Sequence, residues 1–398
     1  MRVKALLISS HNPIRLKVVV YGLSTEGYNI AKSLSLKGFD VSMVDESKGM
    51  AVSIRAEMAM AYSSVNALME DEPLLGLEPE GIAIASADYI FFTPKIRKVA
   101  HDAKVEIAGK FRSMINHLGK DSSIIYCIPT GIGGNKEVME VLEHVTNMKV
   151  NEDINYYYMP IATDALGYVI GSTSIMREDQ GIYRIIECVT DGSKISMMDI
   201  QSAEILYSNR VLSHYIPLIT AFELCKNISE DTRSILREEE GLRELFIDDV
   251  ASSLFDLYML ANSIESATLA HIINNCIRSL EAYSKHIVDE VRLLLKKKDL
   301  RASKCKIVIA WSIDSNEMRS SRTAMLSLLS SRLRDYVGDV DMLKGTSLLE
   351  VYDERTLVIL ACSRADYERI KDYMDKVKSI GRDSIIVVKA NPLCEVID

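Results

Sequence analysis

The stretch KVVVYGLSTEGYNIAKSLSLKGFDVSMVD, residues 17–45, decides the fold of this chain. Its first six residues form a β-branched run that ends in glycine, which is the pattern of a buried strand. A helical segment follows, and Gly38 is a suitable C-terminal stop for it. A second strand ends at Asp45. A strand–helix–strand unit of this kind predicts an α/β fold with a parallel, doubly wound sheet.

The turn between the first strand and the helix has the spacing of a dinucleotide-binding loop. Gly22, Ser24 and Gly27 occupy the three positions of G-x-G-x-x-G, which would aim a helix N-terminus at a pyrophosphate. Asp45 stands where an acidic residue binds the adenosine ribose and favours NAD over NADP. Ser24 adds a side chain and Glu26 a negative charge at the turn, and both should weaken binding. A domain that keeps the turn without the nucleotide remains the alternative.

The chain divides into three sections. Residues 1–197 form the first α/β domain, with further strands predicted at 88–93 and 123–128. Residues 198–300 lose the strand pattern and carry long amphipathic helices, which we expect to pack against other helices or a second subunit. Residues 301–398 return to alternating strands and helices, which predicts a second, smaller α/β domain.

Composition and charge narrow the class of protein. The 398 residues include 47 Lys and Arg against 56 Asp and Glu, so the net charge is −9 and no basic stripe for nucleic acid is present. No apolar stretch reaches the ~18 residues of a membrane span, so we expect a cytoplasmic protein without membrane contact. The seven cysteines form no CxxC, and HExxH is missing. We therefore expect reduced, mostly buried thiols and no metal.

Six short segments, taken in order, resemble motifs of the UDP-glucose/GDP-mannose (nucleotide-sugar) 6-dehydrogenase family. Together they span nearly the whole chain. The segments are VVVYGLSTEGYNIAKSLSLKGFDVSMVDES at 18–47, ADYIFFTP at 87–94, CIPTGIGGNKEVMEVLE at 127–143, YYYMP at 156–160, SAEILYSNR at 202–210 and IAWSIDSNEMRSSR at 309–322. The last of them is similar, without gaps, to the family's L-A-F-K-x-x-T-D-D-x-R-E-S-P segment.

The resemblance implies an architecture, a cofactor and a reaction. The family has an N-terminal NAD domain, a long central helix that builds a homodimer, and a C-terminal domain that holds the nucleotide of the sugar donor. Its members oxidise a sugar C6 alcohol to a carboxylate by two hydride transfers, with a cysteine thiolate holding the intermediate. The resemblance and the turn together place the following residues at the cofactor: Gly22, Ser24, Thr25, Gly27, Asp45, Thr93, Pro94 and Arg319.

The reactive groups of that chemistry are missing from the matching positions. Asp248 or Asp249 stands where the resemblance places the cysteine, and a carboxylate cannot form a thioester. Cys127 replaces a threonine that positions water. Ile161 replaces a glutamate, and Ser312 replaces a lysine.

The long central helix lacks the family's lysine and asparagine. In one register these residues become Pro217 and Phe222, and in a register shifted by two they become Tyr215 and Thr220. Neither register supplies an ammonium group to stabilise a developing alkoxide. Pro217 also disfavours a regular helix interior unless the helix is kinked there.

Three residues remain as catalytic candidates: Cys127, His214 and Tyr215. Cys127 would act as a nucleophile at the end of a strand, but no neighbour in sequence lowers its pKa, and a buried core thiol is the alternative. His214 would act as a base on the central helix, and a packing or dimer-interface role is the alternative.

These observations leave two hypotheses. The first is a homodimer that keeps NAD and the family's fold but cannot perform the four-electron oxidation, because cysteine, lysine, asparagine and glutamate are absent together. The second is an active NAD-dependent oxidoreductase that acts on a CH–OH group with altered catalytic residues. It requires polar groups facing the nicotinamide. We prefer the first, and we leave the ligand of the C-terminal domain open, with a nucleotide sugar as the candidate.

Overall fold

Two sheets and a set of long helices organise the chain in a computed structural model, which describes residues 16–71, 76–161, 168–173, 179–227, 245–252, 254–343, 356–378 and 385–391. The first sheet contains β1 (Lys17–Tyr21), β2 (Asp40–Asp45), β3 (Met50–Ser53), β4 (Leu77–Pro79), β5 (Tyr89–Phe92), β6 (Ser123–Tyr126), β7 (Asn155–Tyr158), β8 (Tyr168–Ser172) and β9 (Ile195–Asp199). The second contains β10 (Cys305–Ala310), β11 (Val340–Met342), β12 (Thr356–Ala361) and β13 (Ile385–Lys389).

The helices fall into the same three sections. Those of the first section are α1 (Thr25–Leu36), α2 (Ala56–Ala61), α3 (Val65–Asp71), α4 (Glu80–Ala85), α5 (Ala100–Ile115), α6 (Gly134–Thr146) and α7 (Gln180–Thr190). The central helices are α8 (Ile200–Cys225), α9 (Ile247–Ala251), α10 (Leu254–Ala261) and α11 (Ala267–Lys297). The second sheet is accompanied by α12 (Ser321–Val337) and α13 (Arg364–Lys378).

The first sheet has the order β4-β3-β2-β1-β5-β6-β7-β8-β9. Its centre, from β2 to β7, is parallel, as the strand–helix–strand unit predicts. The expectation of a wholly parallel sheet is corrected at both edges, because β3 and β8 run antiparallel to their inner neighbours. At β3 the reason is a turn of only four residues after β2, which is too short for a parallel crossover.

Both faces of the first sheet are buried. Along β1, Val18 and Val20 face α1 and α7, whereas Val19 and Tyr21 face α4 and α5. Alternate residues of a strand point to opposite faces, so a β-branched run such as β1 suits a sheet that is covered on both sides.

The central helices pack on the second sheet. This sheet is parallel throughout, in the order β11-β10-β12-β13. Tyr215 of α8, Tyr283 of α11 and Ile307 of β10 belong to one hydrophobic cluster. The α8 helix continues through Pro217. The predicted α/β class, with a large sheet, long helices and a smaller sheet, is therefore confirmed.

Candidate functional site

The candidate site lies where the connections of the first sheet change direction. From β1 the chain crosses to β2 on one side, and it returns to β5 on the other. The carboxyl ends of β1 and β5 therefore border a crevice of the kind in which doubly wound sheets bind ligands. We call it the first crevice. Gly22 follows β1 at its edge, and Thr93 and Pro94 follow β5.

Gly22 and Gly27 allow the turn after β1 to pack directly on the end of β5. Gly22 has a φ of +112°, and a Cβ there would lie 2.3 Å from the Thr93 carbonyl oxygen and 2.6 Å from the Pro94 Cα. A Cβ on Gly27 would lie 2.6 Å from Thr93 Oγ1. Glycine avoids both clashes, and at Gly22 it also suits the positive φ. The two glycines therefore hold the start of α1 at the crevice.

Ser24 stands in place of the middle glycine and caps α1. Its side chain is completely buried. Its Oγ accepts a hydrogen bond from the Gly27 N–H at 3.1 Å and donates one to the Thr93 carbonyl oxygen at 2.8 Å. An N-cap serine satisfies an N–H group that a phosphate would otherwise bind. Ser24 therefore gives the α1 N-terminus an internal partner that a glycine would not supply.

A loop that follows β10 covers the remainder of this turn. The Thr25 N–H donates to the Asn316 carbonyl oxygen at 2.8 Å, and Thr25 Oγ1 donates to Asp314 at 2.5 Å. Glu26 accepts a hydrogen bond from the Met318 N–H at 2.8 Å. The negative charge of Glu26 thus has a donor within the chain, and the loop binds the helix end that faces pyrophosphate in dinucleotide-binding domains.

We call residues 314–318 the latch segment. Its Asp314 also accepts a hydrogen bond from Asn66 Nδ2 at 2.8 Å. Partial burial alone would raise the pKa of this carboxyl, but hydrogen bonds from Thr25, Asn316 and Asn66 bring it below its usual value. The ionised carboxylate therefore lies at the positive end of the α1 dipole, where an anion is favoured.

Lys95 and Glu46 add charged groups that the sequence analysis missed. Lys95 Nζ donates to the Asn316 side-chain oxygen at 2.9 Å. Glu46 accepts hydrogen bonds from the Lys95 N–H at 3.2 Å and from Lys110 Nζ at 2.7 Å. Burial, together with the nearby Arg97, lowers the pKa of Lys95. The available signal was a lysine directly after the Thr-Pro pair that follows β5.

Asp45 ends β2 at the first crevice. The Gly22 N–H donates to the carbonyl of the preceding Val44, so the glycine turn and the end of β2 are in direct contact. The Asp45 side chain accepts hydrogen bonds from the Ser47 N–H at 3.0 Å and from the Ser47 hydroxyl at 2.5 Å. Its second oxygen lies 3.8 Å from Lys48 Nζ, an exposed ammonium. Asp45 is thus a mostly buried acidic side chain at the end of the strand beside the glycine turn.

The guanidinium of Arg319 is buried and makes its contacts within the protein. It pairs with Asp256 of α10 at 2.9 Å, and Asp256 also accepts from the Tyr207 hydroxyl of α8 at 2.8 Å. A second guanidinium nitrogen donates to the Ile161 carbonyl oxygen. Burial opposes the charge, but Asp256 keeps the pKa of Arg319 above its usual range. A role for Arg319 at the cofactor would require this pair to break.

The structure does not bring the three catalytic candidates together. Cys127 is completely buried on the α1 side of the first sheet, and burial raises the pKa of its thiol. Tyr215 is completely buried in the cluster around the central helices, and its hydroxyl donates to the Val250 carbonyl oxygen at 3.1 Å. His214 packs edge-on against Tyr215. Burial favours the core-thiol alternative for Cys127.

Residues that replace the family's reactive groups have partners within the chain. Asp248 accepts a hydrogen bond from the Trp311 indole N–H at 2.7 Å and pairs with Arg322 at 2.9 Å. Burial raises the pKa of Asp248, although Arg322 opposes the shift. Ser312 donates to Asp366 at 2.6 Å. These contacts hold the second sheet to its helices.

A second crevice lies at the carboxyl ends of β10 and β12, where the smaller sheet changes direction. The α9 helix covers it. The Ile247 N–H donates to the Ala390 carbonyl oxygen at 2.9 Å, and the Asp248 N–H donates to the Cys362 carbonyl oxygen at 3.1 Å. The Ile247 side chain is completely buried. The chain itself therefore occupies the edge at which a parallel sheet of this kind would bind a ligand.

A buried polar group satisfies the start of α6. Glu204 accepts hydrogen bonds from the Gly133 N–H at 2.7 Å and the Asn135 N–H at 2.8 Å. The Asn135 side chain donates to Thr130 Oγ1 at 2.9 Å and accepts from the Tyr156 hydroxyl at 2.7 Å. Glu204 belongs to the segment that resembles the start of the family's central helix, and it serves here as a helix cap.

A cavity of about 190 Å³ lies beside this polar group, between α5 and α6. Its lining is mostly apolar and includes Phe111, Tyr126 and Met259, with Lys104 and Glu137 as the charged members.

No three His, Cys, Asp or Glu side chains converge as a metal site in the described ranges. Among the helices of the described residues, none is both long enough and apolar enough to cross a membrane.

Three solved dehydrogenase structures share this architecture. No protein-family profile and no curated protein sequence matches the chain. The UDP-D-ManNAc dehydrogenase of Pyrococcus horikoshii has a TM-score of 0.65 at 14% identity, covering 95% of this chain and 96% of that one. The UDP-glucose dehydrogenase of Pyrobaculum islandicum gives 0.58 at 14% identity, covering 96% of each. The UDP-N-acetyl-mannosamine dehydrogenase of Staphylococcus aureus gives 0.56 at 13% identity, covering 87% and 88%.

At such low identity these likenesses concern the fold. The first two cover nearly the full length of both chains, so they include both sheets and the helices between them. The six motif-like segments lie within the same span of the sequence. The chain therefore has the fold of the nucleotide-sugar dehydrogenases, as the motif resemblance predicts.

Proposed function

We propose that this chain is an NAD-binding homodimer with the nucleotide-sugar dehydrogenase fold that does not carry out the thiolate-dependent oxidation of a UDP- or GDP-sugar. One observation carries the proposal. The glycine turn that packs on Thr93 and Pro94 lies beside Asp45, while the resemblance aligns Asp248 or Asp249 with the thiolate, and Asp248 is bound to Trp311.

The geometry of the first crevice supports NAD as the ligand. The start of α1 points to the carboxyl edge of the sheet, where its dipole favours a pyrophosphate. Asp45 stands at the end of the neighbouring strand, within reach of an adenosine ribose. The site would hold the cofactor through Gly22, Thr25, Gly27 and Asp45, and NAD would supply hydride acceptance when bound.

The cysteines support the absence of thiolate chemistry. Of the described cysteines whose side chains are placed, four are buried and one is half-buried. Burial is the main cause that raises the pKa of all five thiols, so they are protonated near neutral pH. A protonated, enclosed thiol cannot hold a thiohemiacetal. Free thiols are also typical of cytoplasmic proteins, and we propose that location.

Apolar side chains on the central helices support a homodimer. Ile205 and Leu224 of α8 and Leu293 of α11 are each about half exposed, although the helices already share a large hydrophobic cluster with the second sheet. Apolar side chains that stay exposed on long helices become buried when the helices of two copies pack together. We therefore propose that the central helices of two copies meet. Sedimentation equilibrium of the full chain should give twice the monomer mass.

A titration of NADH, followed by its fluorescence, tests cofactor binding. Asp45→Ala should weaken binding about 10-fold or more, because a hydrogen bond to a charged group contributes ~1.5–3 kcal/mol. Asp40→Ala is the matched control, since Asp40 is exposed at the other end of β2. Equal affinities of wild type and Asp45→Ala would contradict the assignment of the crevice.

A turnover assay tests the proposal that the protein does not oxidise a UDP- or GDP-sugar. Wild-type protein incubated with NAD and a UDP- or GDP-sugar should form no NADH above the background rate, because no enclosed thiol can form the covalent intermediate. Steady NADH formation that requires the protein would overturn this part of the proposal. A nucleotide sugar that binds without turnover would remain compatible with it.

The alternative hypothesis, an active oxidoreductase with altered residues, requires polar groups that face the nicotinamide. Cys127 is enclosed among apolar side chains, and Tyr215 belongs to a different hydrophobic cluster. The hydrogen bonds of Glu204 and Asn135 end on one another, on Thr130, on the Tyr156 hydroxyl and on the start of α6. The geometry therefore does not favour this alternative.

A further inference from the structure

The latch segment binds the same groups that a pyrophosphate would need. In dinucleotide-binding turns, phosphate oxygens accept hydrogen bonds from the N–H groups at the start of the helix. Here the Asn316 carbonyl accepts from the Thr25 N–H, and the Asp314 carboxylate accepts from the Thr25 hydroxyl. A phosphate that binds Thr25 would have to displace both.

We propose that the latch segment is an intramolecular competitor of the dinucleotide, which closes the first crevice in the empty protein and must leave it before NAD binds. This inference rests on the proposed function and adds its regulation. The match of chemistry supports it: Asp314 is an anion at a helix N-terminus that is suited to a phosphate. Asn316 is only 8% exposed, so the closed position excludes solvent from the turn.

The latch segment also makes hydrogen bonds outside the first crevice. The Ile96 N–H donates to the Met318 carbonyl oxygen at 2.7 Å. The guanidinium of Arg97 donates to the Ser315 carbonyl oxygen at 2.8 Å and to the Glu317 carbonyl oxygen at 3.0 Å. Arg97 itself is exposed. Its side chain therefore stabilises the latch segment without belonging to the cofactor turn or to the hydrophobic core.

Competition of this kind predicts how affinity should change. If only a fraction of the molecules is open, the apparent Kd equals the intrinsic Kd divided by that fraction. Removing a contact of the closed state increases the open fraction and tightens binding, although no contact with NAD has been added. A latch segment that played only a structural role would leave the affinity unchanged or weaken it.

The test is an NADH titration of the full chain by isothermal calorimetry. Arg97→Ala should tighten binding about 3-fold. The double variant Asp314→Ala/Asn316→Ala should tighten it about 10-fold or more, because it removes the Asp314 contacts with Thr25 and Asn66 and the Asn316 side-chain contact with Lys95, while the Asn316 carbonyl remains. Arg97 is exposed, so its variant tests the inference even if the double variant does not fold.

Matched controls separate competition from simple charge effects. Lys98→Ala removes the neighbouring exposed cation, whose side chain has no hydrogen bond to the latch segment among those described. Glu317→Gln removes a negative charge from the segment itself, and the Glu317 carboxylate contacts Arg322 rather than α1. Both controls should bind NADH within about 2-fold of wild type if contacts, and not net charge, decide the affinity.

Hydrogen exchange gives a second readout, at the amides that the closed state protects. NADH should accelerate exchange at Met318 and Ile96 in the wild type, since their N–H groups lose their partners when the segment leaves. Equal affinities in all variants, with unchanged exchange, would overturn the latch and leave cofactor binding intact. Failure of every variant to bind NADH would overturn the proposed function and this inference together.

Discussion

The two crevices of the molecule are both covered by the chain, but in different ways. At the first crevice, the latch segment makes polar contacts through Asp314, Asn316 and Met318 to the start of α1. At the second crevice, α9 donates two backbone hydrogen bonds and also inserts Ile247 and Val250 into the large hydrophobic cluster. The first cover is a mainly polar loop whose Met318 side chain is completely buried in the hydrophobic cluster of the first sheet, and the second cover is part of the core.

The difference indicates which cover can open. Water and phosphate oxygens can replace the polar contacts of the latch segment, so these contacts contribute modestly to stability, and the burial of the Met318 side chain adds an apolar cost to opening. Moving α9 would expose buried apolar surface at a cost of roughly 25 cal/mol per Å². We therefore infer that a ligand can compete with the latch segment, whereas the cover of the second crevice is permanent under native conditions.

The largest effect should come from Arg319, which directly follows the latch segment and ties it to α10. Arg319→Met leaves the Asp256 carboxylate buried without its cation, which should lower the free energy of unfolding by about 3–5 kcal/mol. Urea denaturation at neutral pH measures this. The double variant Arg319→Met/Asp256→Asn should recover much of the loss. A single variant as stable as wild type would show that the pair does not anchor the segment.

A smaller loss is expected at the second crevice. Ile247→Ala should lower the free energy of unfolding by about 2–4 kcal/mol, because it leaves a cavity under α9. Ile272→Ala, at a largely exposed position on α11, is the control and should change stability by less than about 1 kcal/mol. A negligible loss at Ile247 would mean that α9 covers the second crevice as loosely as the latch segment covers the first.

The smallest effect should appear at Asp314 and should depend on pH. Its lowered pKa means that the folded state favours the carboxylate, so its contribution to stability is present at neutral pH and is lost as the pH falls through the folded-state pKa. Asp314→Asn should cost about 0.5–1 kcal/mol at pH 7, since solvent screens part of the interaction. The difference from wild type should shrink toward pH 3. A constant difference would contradict an ionic role for the latch segment.

The local sequence pattern predicted those strands and helices whose formation depends on residues close together in the chain. The run at 17–22 became β1, and Asp45 ends β2 as expected. Strands β3 and β8, which lie next to the two edge strands, were missed, because β3 is only four residues long and depends on pairing with β2. Short strands carry little hydrophobic periodicity of their own.

In the candidate site too, the sequence predicted some residues and missed contacts between distant ones. The sequence identified the glycine turn, because a tight turn at a helix start requires specific residue types at fixed spacing. It did not reveal that Asp314 would bind Thr25, since nearly three hundred residues separate them. Nor did it show that Arg319 pairs with Asp256, because pairing between distant polar residues leaves no periodic signal.

By itself, then, the sequence determined the two sheets, the long helices, the dinucleotide-type turn and the absence of the expected cysteine. Only the tertiary structure decided that both crevices are covered by other parts of the chain, one by a polar loop and one by a packed helix. The physical reason is that turns and strands follow from local conformational preference, whereas a cover depends on which distant surfaces become adjacent when the hydrophobic cores form.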